Sequence, residues 1–367
     1  MAQLEQVDVR TAPLNTQREQ IMQNIVDVSR IPLPFLDLIG RETHDNPFYE
    51  WLCDRLAAPD VTNAVIDGSD APAATGARAI RLGNNGQIFL KAVGTSTRFE
   101  ASNIAGNLKL AQNIQKKTQE NWRDINARLL YNSPNVADTG TGGVAGQTAG
   151  LECWVDPDEA SETGTLKSPL PYDDVSTGGI AIGGWSNRGA TTVVPAVDYT
   201  SVTALGALSF AGVMDVLAAL YGLGTNPSVL LARPTVLRRL SSYMFTSGAQ
   251  IASLIRNADE IAAAKAINAV NTIVTDNGVV VDFVSDRLMQ QTDASAGTGV
   301  TVSDTLFAFD PSFIKFSTQG GGMRVRELPH NGLGRKSMIW CDGGLTVTNP
   351  DALGAVFGIN DATAAVA

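Results

Sequence analysis

The chain has 367 residues, 44% of them apolar, and carries 37 acidic against 27 basic side chains for a net charge of -10. That length and apolar content suffice for two domains or one elaborated domain with a sizeable core, whereas the acidic balance excludes a dedicated nucleic-acid binder, whose affinity comes from clustered Lys and Arg. Cys53, Cys153 and Cys341 are far apart and lack C-x-x-C spacing, which excludes a disulfide framework and a zinc site and fits a reducing cytoplasm.

In chain order, residues 1–15 read as a polar arm with no secretory signal pattern, and the chain is expected to keep this segment. Thr16 and Glu19 have capping-box spacing and open a helix whose Ile21, Ile25 and Val28 share a face. Ile31-Pro32-Leu33-Pro34-Phe35 breaks it, and Leu36–Ile39 adds a short apolar segment ended by Gly40. Phe48–Leu56 suits an extended edge strand, residues 59–86 are rich in Ala, Gly, Asp, Asn and Pro, and Gln87–Val93 is a clear strand. Two extended limbs with a mobile tip predict a protruding hairpin. The first hundred residues bury little of themselves, and ordering them costs about 1–2 kcal/mol per residue, so they either stay mobile or pack on another subunit.

Arg98–Tyr131 then predicts one amphipathic helix, with Ser102 as N-cap and Ser133-Pro134 as its stop. Ile104, Leu108, Ala111, Gln115, Thr118, Trp122, Ile125 and Leu129 recur at spacings of four and three and so share a face, while Lys109, Lys116, Lys117, Glu120, Asp124 and Arg128 occupy the other. Such a rod is roughly 43 Å long, and the polar middle of its stripe suits a platform across a sheet better than a buried core helix. Trp122 and Ile125 are expected to anchor it.

Residues 132–200 form a long stretch rich in Gly, Thr, Ser, Asp and Pro, with apolar islands at Leu151–Val155 and Thr191–Val197. Ala204–Gly222, Pro234–Met244 and Gln250–Ile267 read as helices and Ser228–Ala232 as a buried strand. Asn271–Thr275 and Val279–Ser285 are strands meeting at Asp276-Asn277-Gly278, a strong hairpin signal. These elements make an α/β module. Thr305–Phe309, Phe313–Ser317, Met323–Glu327 and Ser337–Thr348 close the chain as antiparallel strands.

No motif anchors catalysis, a cofactor or a metal. Gly140, Gly142 and Ala145 match the dinucleotide fingerprint, but the match follows a helix instead of a strand and opens no helix. Gly334-Arg335-Lys336-Ser337 lacks the phosphate-loop order, and His44 and His330 have no carboxylate or cysteine at ligand spacing. Both histidines read as turn or surface residues. The apolar run Ala204–Gly224 carries Asp215 at its middle and no flanking basic cluster, which argues for a buried helix over a membrane span.

Several segments, taken in order and spacing, resemble a known family. They are Leu33-Pro34-Phe35-Leu36-Asp37-Leu38-Ile39-Gly40, Tyr49-Glu50-Trp51, Asn63-Ala64-Val65 with Gly68-Ser69-Asp70-Ala71, and Asn85-Gly86-Gln87-Ile88-Phe89 with Lys91. Trp122-Arg123-Asp124, Gly150-Leu151 with Trp154, Asn226-Pro227-Ser228-Val229, Phe309-Asp310-Pro311 and Leu345-Thr346-Val347-Thr348-Asn349-Pro350 complete the set. Across about Gln17 to Pro350 the chain resembles tailed-phage major capsid proteins of the Hong Kong 97 type, and within them the SU10-type major head proteins.

The resemblance implies an α+β fold with an N-terminal arm at 1–47, an E-loop hairpin at 48–98, and a spine helix of the peripheral domain at 99–131. It implies an axial domain at 132–300, closing peripheral strands at 301–350 and a C-terminal tail at 351–367. The implied function is a structural head protein forming hexamers and pentamers of an icosahedral shell around double-stranded DNA, in a virion made in a bacterial cytoplasm. Itself and portal, scaffolding and decoration proteins are the implied partners, with no membrane and no cofactor. Phe35, Trp51, Asp70, Gln87, Phe89 and Lys91 are the implied intersubunit contacts, and removing Ala58–Asn84 is expected to leave a folded core that cannot assemble. Some relatives weld their shells through a Lys–Asn isopeptide bond, but nothing local marks Lys91 as reactive. Two departures stand out: residues 138–200 match poorly, and Gly343-Gly344 softens the last strand. The alternative from another class is a cytoplasmic α/β enzyme with its active site in residues 132–200.

Overall fold

The computed structural model describes residues 32–53, 60–70, 80–102, 110–131, 135–140, 142–156, 180–183, 208–245, 271–289, 292–293, 302–329 and 332–359. The helices expected around Thr16–Glu19 and at Gln250–Ile267, the stripe residues Ile104 and Leu108, and His330 lie outside them.

The chain begins its described part with a short helix, α1 (Pro34–Leu38), whose proline occupies the first turn, where its missing N–H costs nothing. Strands β1 (Gly40–His44), β2 (Phe48–Cys53), β3 (Ile80–Asn85) and β4 (Gln87–Ser96) follow, then helices α2 (Thr97–Ala101) and α3 (Leu110–Leu129). Next come β5 (Val155–Asp156), β6 (Ile180–Gly183), α4 (Phe210–Gly222), β7 (Val229–Ala232), α5 (Pro234–Phe245), β8 (Thr272–Val274), β9 (Val280–Ser285) and β10 (Thr292–Asp293). The last strands are β11 (Val302–Phe309), β12 (Ile314–Gln319), β13 (Arg324–Leu328), β14 (Gly334–Val347) and β15 (Leu353–Ile359). Two compact units result, the smaller made of Met1–Pro32, Lys91–Gln119 and Val325–Ile339 and the larger of everything else.

In the larger unit β5, β6, β15, β11, β7, β9 and β8 lie side by side, with β10 added against β11. Every residue of β7 is buried, because both faces of this sheet are covered, and such strands read as continuous apolar runs instead of alternating ones. Leu230 and Ala232 of β7 and Leu306 and Ala308 of β11 face one core, with Val213, Val216, Leu217 and Leu220 of α4 and Val236, Leu240 and Met244 of α5. The intervening Val229, Leu231, Phe307 and Phe309 face a second core that includes Phe35, Ile125, Leu129, Trp154, Phe316 and Leu345. Phe35 meets Phe309 edge to face, 6.1 Å between centroids. The β8–β9 hairpin forms as its turn residues predict, antiparallel with Val274 opposite Val280. A second sheet places β1 parallel to β12 and β12 antiparallel to β14.

Three expectations are corrected here. The segment 302–309, expected among the peripheral closing strands, pairs with β7, and Leu353–Ile359, expected in a tail, is a strand paired with both β11 and β6. A strand buried on both faces needs hydrogen-bonded neighbours on both edges, and β11 supplies one for β7. The helix expected as one rod from Arg98 is interrupted: Ser96 caps α2, accepting from the Phe99 amide, and Ser102 ends it in an extended conformation. The Ser102 hydroxyl donates to the Arg98 carbonyl at 2.7 Å, the local bond by which serine competes with helix continuation. The 20 residues of α3 span about 30 Å.

The expected weak stripe is visible in α3. Ala111 and Gln115 are exposed, Thr118 turns its hydroxyl back to the Ile114 carbonyl, and burial is concentrated in Asn121, Ile125, Asn126 and Leu129. Trp122 is half-buried, edge-on to Phe316 with the Arg41 guanidinium 4.9 Å above its ring. Arg128, assigned from spacing to the solvent face, instead donates through Nη2 to Gln147 Oε1 and the Thr148 carbonyl, both at 3.0 Å.

The smaller unit contains the end of β4, α2, the start of α3, β13 and the start of β14. Glu100 Oε1 accepts the Leu110 amide at 2.9 Å, and Thr97 donates both its amide and its hydroxyl to the Leu333 carbonyl.

Candidate functional site

The β2–β3 hairpin runs in continuous register from Phe48 opposite Asn85 to Cys53 opposite Ile80. The second limb expected at Gln87–Val93 is therefore β3 instead, a strand hidden in the Gly- and Asn-rich stretch, while β4 pairs with β14. Strand periodicity sorts β2 into two faces. Phe48, Glu50 and Leu52 are exposed, whereas Tyr49 and Cys53 are buried and Trp51 half-buried.

Each inward side chain of β2 ends on a backbone carbonyl. Tyr49 OH donates to Leu345 O at 3.0 Å, Trp51 Nε1 to Val347 O at 2.9 Å and Cys53 Sγ to Thr348 O at 2.6 Å. Asn84, fully buried on β3, donates to Leu345 O at 2.7 Å and Thr148 Oγ1 at 3.1 Å and accepts from the Ala149 amide at 3.1 Å. The hairpin base is thus stitched to β14 and to residues 148–149 by side chains, and each such bond contributes about 1 kcal/mol net while costing more if broken on one side only.

Gly343 and Gly344 make this seat possible. A Cβ on Gly344 would lie 2.5 Å from the Tyr49 hydroxyl and 2.6 Å from Thr148 Oγ1, and one on Gly343 would lie 2.7 Å from the Ser317 carbonyl. The pair expected to soften β14 therefore leaves room for the hairpin to lie across it, within an unbroken strand.

An aromatic row extends along the same seat. His44 stacks on Tyr49 (4.2 Å), Tyr49 on Trp51 (5.8 Å), and Trp51 tilts against Trp154 (5.5 Å). Burial pushes the Tyr49 hydroxyl well above its ordinary pKa, so it stays a neutral donor. His44 Nδ1 is 2.8 Å from Ser317 Oγ, and burial lowers its pKa against the opposing pull of Asp342 and Asp45. His44, Asp45, Gln319, Gly320, Arg324, Trp340 and Asp342 line a cavity of 390 Å³. Among the described residues no group of three His, Cys, Asp or Glu could hold a metal. The three cysteines are buried, and burial pushes the Cys341 thiol up to about 11, which leaves it unreactive.

The far part of the hairpin has the opposite character. All of residues 60–70 are exposed, and Val61 is 97% and Ile66 84% accessible. The hydrogen bonds that order them are local: Asp60 Oδ1 accepts from the Thr62 amide at 2.8 Å and hydroxyl at 2.6 Å, and the Ser69 amide donates to Ile66 O.

The expected contact residues divide accordingly. Asp70 is on the exposed tip, and Trp51, Gln87 and Lys91 are half-buried, with Gln87 Oε1 accepting from the Thr148 amide. Phe35 and Phe89 are buried in the chain's own core and have no surface to offer another copy. On β4, Ile88 and Leu90, which flank the buried Phe89, are the outward residues. Val61, Val65, Ile66 and Leu52 were missed, although apolar residues in a turn-rich stretch are themselves a signal of a partner. The removal of Ala58–Asn84 would also delete Leu82 and Asn84, both fully buried, and so damage the core.

A sequence model described as SU10 major capsid protein matches residues 7–360. The chain belongs to the SU10 major capsid protein family. The chain is 24% identical over 340 residues to the major capsid protein of Escherichia phage Phieco32, covering 88% of this chain and 89% of that one. Its fold is similar to the Cyanophage A-1(L) capsid (TM-score 0.54, 12% identity, 95% of this chain and 98% of that one). The capsid of a native GTA particle is also similar (TM-score 0.51, 13% identity, 95% and 98%). The architecture is thus the α+β capsid fold of the Hong Kong 97 type, and this SU10-family chain is a structural protein of the virion capsid, not an enzyme. The alternative of an active site in residues 132–200 finds no support in that family. Gly140, Gly142 and Ala145 of the fingerprint lie in a turn closed by a hydrogen bond from the Thr139 amide to the Val144 carbonyl. The apolar run ahead of Gly224 contributes the 13-residue α4, shorter than the about 20 residues a span requires.

Proposed function

We propose that copies of this chain assemble through the β2–β3 hairpin into the hexamers and pentamers of an icosahedral shell enclosing double-stranded DNA. One observation carries the reading: a hairpin rigidly seated at its base carries an apolar, exposed tip. A monomer has no reason to hold such a tip in water, whereas a neighbour that buries it gains about 25 cal/mol per Å² of apolar surface. In this reading residues 1–47 are the arm, 48–98 the E-loop, α3 the later part of the spine, and the eight-stranded sheet with α4 and α5 the axial domain. Portal, scaffolding and decoration proteins would be further partners.

The test is replacement of residues 61–69 by a Gly-Ser linker of equal length, which leaves Tyr49, Trp51, Leu82 and Asn84 in place. The variant is expected to unfold at the wild-type temperature and to form no shells by electron microscopy. Normal shells from it would sink the clamp, and a wild-type chain that yields only a small monodisperse oligomer would sink the capsid assembly itself.

A further inference from the structure

Among the described residues an Asp or Asn precedes a glycine four times, at Asp67-Gly68, Asn85-Gly86, Asn277-Gly278 and Asp342-Gly343. Such pairs share a latent reaction, because a glycine has no Cβ to keep its amide nitrogen away from the preceding side chain. The nitrogen attacks Cγ, and the new N–Cγ bond closes a five-membered imide as water leaves from Asp or ammonia from Asn. Water then opens the ring at either carbonyl. One product is ordinary aspartate, and the other is isoaspartate, whose main chain runs through Cβ and Cγ. The chemistry is common to all four pairs, so the fold decides which of them can react.

Three pairs are held. Asn277 and Gly278 are exposed in the β8–β9 turn, but Gly278 donates its amide to the Thr275 carbonyl at 2.8 Å. Gly86 donates to the Pro47 carbonyl at 2.7 Å, and the Asn85 side chain donates to Asn135 Oδ1 at 2.8 Å. Asp342 and Gly343 lie within β14, where Gly343 is buried and pairs with Thr318. In each case the nitrogen must leave a hydrogen bond or a paired strand before it can turn toward Cγ.

Asp67-Gly68 differs on each count. The two residues are the centre of a turn closed by the Ser69 amide on the Ile66 carbonyl at 3.0 Å, a bond that does not engage Gly68. The Gly68 amide has no acceptor, and the Asp67 side chain no donor, among the described residues. Gly68 has a φ of 82°, nothing beyond its chain neighbours lies within 4 Å of the place a Cβ would take, and both residues are exposed. We propose that Asp67 is a site of spontaneous isoaspartate formation, the one pair of the four in which the fold leaves side chain and glycine nitrogen free to meet. The product inserts a methylene into the main chain of the tip and moves its carboxylate, so it remodels the Ile66–Ser69 turn and leaves the seated base alone. None of this depends on how copies of the chain assemble.

The test follows the full chain, kept unassembled, in native buffer and in denaturant, with isoaspartate located by peptide mapping and electron-transfer mass spectrometry. Dividing each native rate by the rate of the same pair in the unfolded chain removes the intrinsic difference between Asp and Asn. At Asp67 the ratio is expected within about threefold of one, while at Asn85, Asn277 and Asp342 it should fall by about tenfold or more, since those pairs must open locally first. Asp67→Glu, which would have to close a six-membered ring, should remove isoaspartate from its peptide. Asp67→Asn should speed the reaction, because an amide is a better electrophile than a carboxylate. A ratio at Asp67 as low as at the other three pairs would overturn the proposal. So would isoaspartate persisting in the Asp67→Glu peptide, or a native Asp67→Asn chain that keeps its amide while the unfolded one loses it.

Discussion

The base and the tip of the hairpin belong to one strand pair and meet opposite fates. At the base, alternate residues of β2 reach the carbonyls of Leu345, Val347 and Thr348, Asn84 closes the seat, and the glycine pair in β14 makes room. At the tip no side chain is buried, and the bonds that order it lie within a few residues. The difference teaches that anchoring and exposure are separable within one strand pair: the base is held by its own chain, and the tip leaves its apolar side chains in solvent.

That separation can be broken from either end. Asn84→Ala should have the largest effect on stability, about 3 kcal/mol by chemical denaturation, because it leaves the buried Ala149 amide without its acceptor and takes from the Leu345 carbonyl one of two donors, Tyr49 being the other. Gly344→Ala should cost about 2 kcal/mol, since Tyr49 and Thr148 are held by their own hydrogen bonds and cannot move aside freely. A change in its m-value, instead of its midpoint, would show that the hairpin had left its seat altogether.

A smaller effect is expected from pH. The lowered pKa of His44 means the unfolded chain binds a proton more readily than the folded one. Stability from this group is therefore complete above the ordinary histidine value of about 6.5, declines as the pH falls from there toward the lowered folded value, and levels off below it. Burial raises Asp342, whose contribution runs the other way at more acidic pH. His44→Gln should flatten the dependence just below neutrality, and an unchanged slope would remove His44 as its source. The smallest stability change, within about 0.5 kcal/mol, is expected for Val61→Ser/Ile66→Ser, which should nonetheless impair assembly.

Much of this architecture follows from local pattern. The Asp276-Asn277-Gly278 hairpin, the buried strand before Arg233, the Pro234 helix start and the closing strands were all legible, because period-2 and period-3.6 apolar spacing and turn chemistry act over a few residues. Ile125 and Leu129 were legible as inward residues for the same reason. β3 and β15 were not: their glycines and asparagines weaken strand propensity, and only pairing with β2, or with β11 and β6, makes them strands. Nor could spacing tell that Phe89 turns into the core while Ile88 and Leu90 turn outward, since a one-residue change of register exchanges the faces of a strand. The sequence by itself pointed to a protruding hairpin in a segment that buries little of itself. Only the tertiary structure decided which residues seat it and which stay exposed, because seating depends on carbonyls of a strand nearly three hundred residues away.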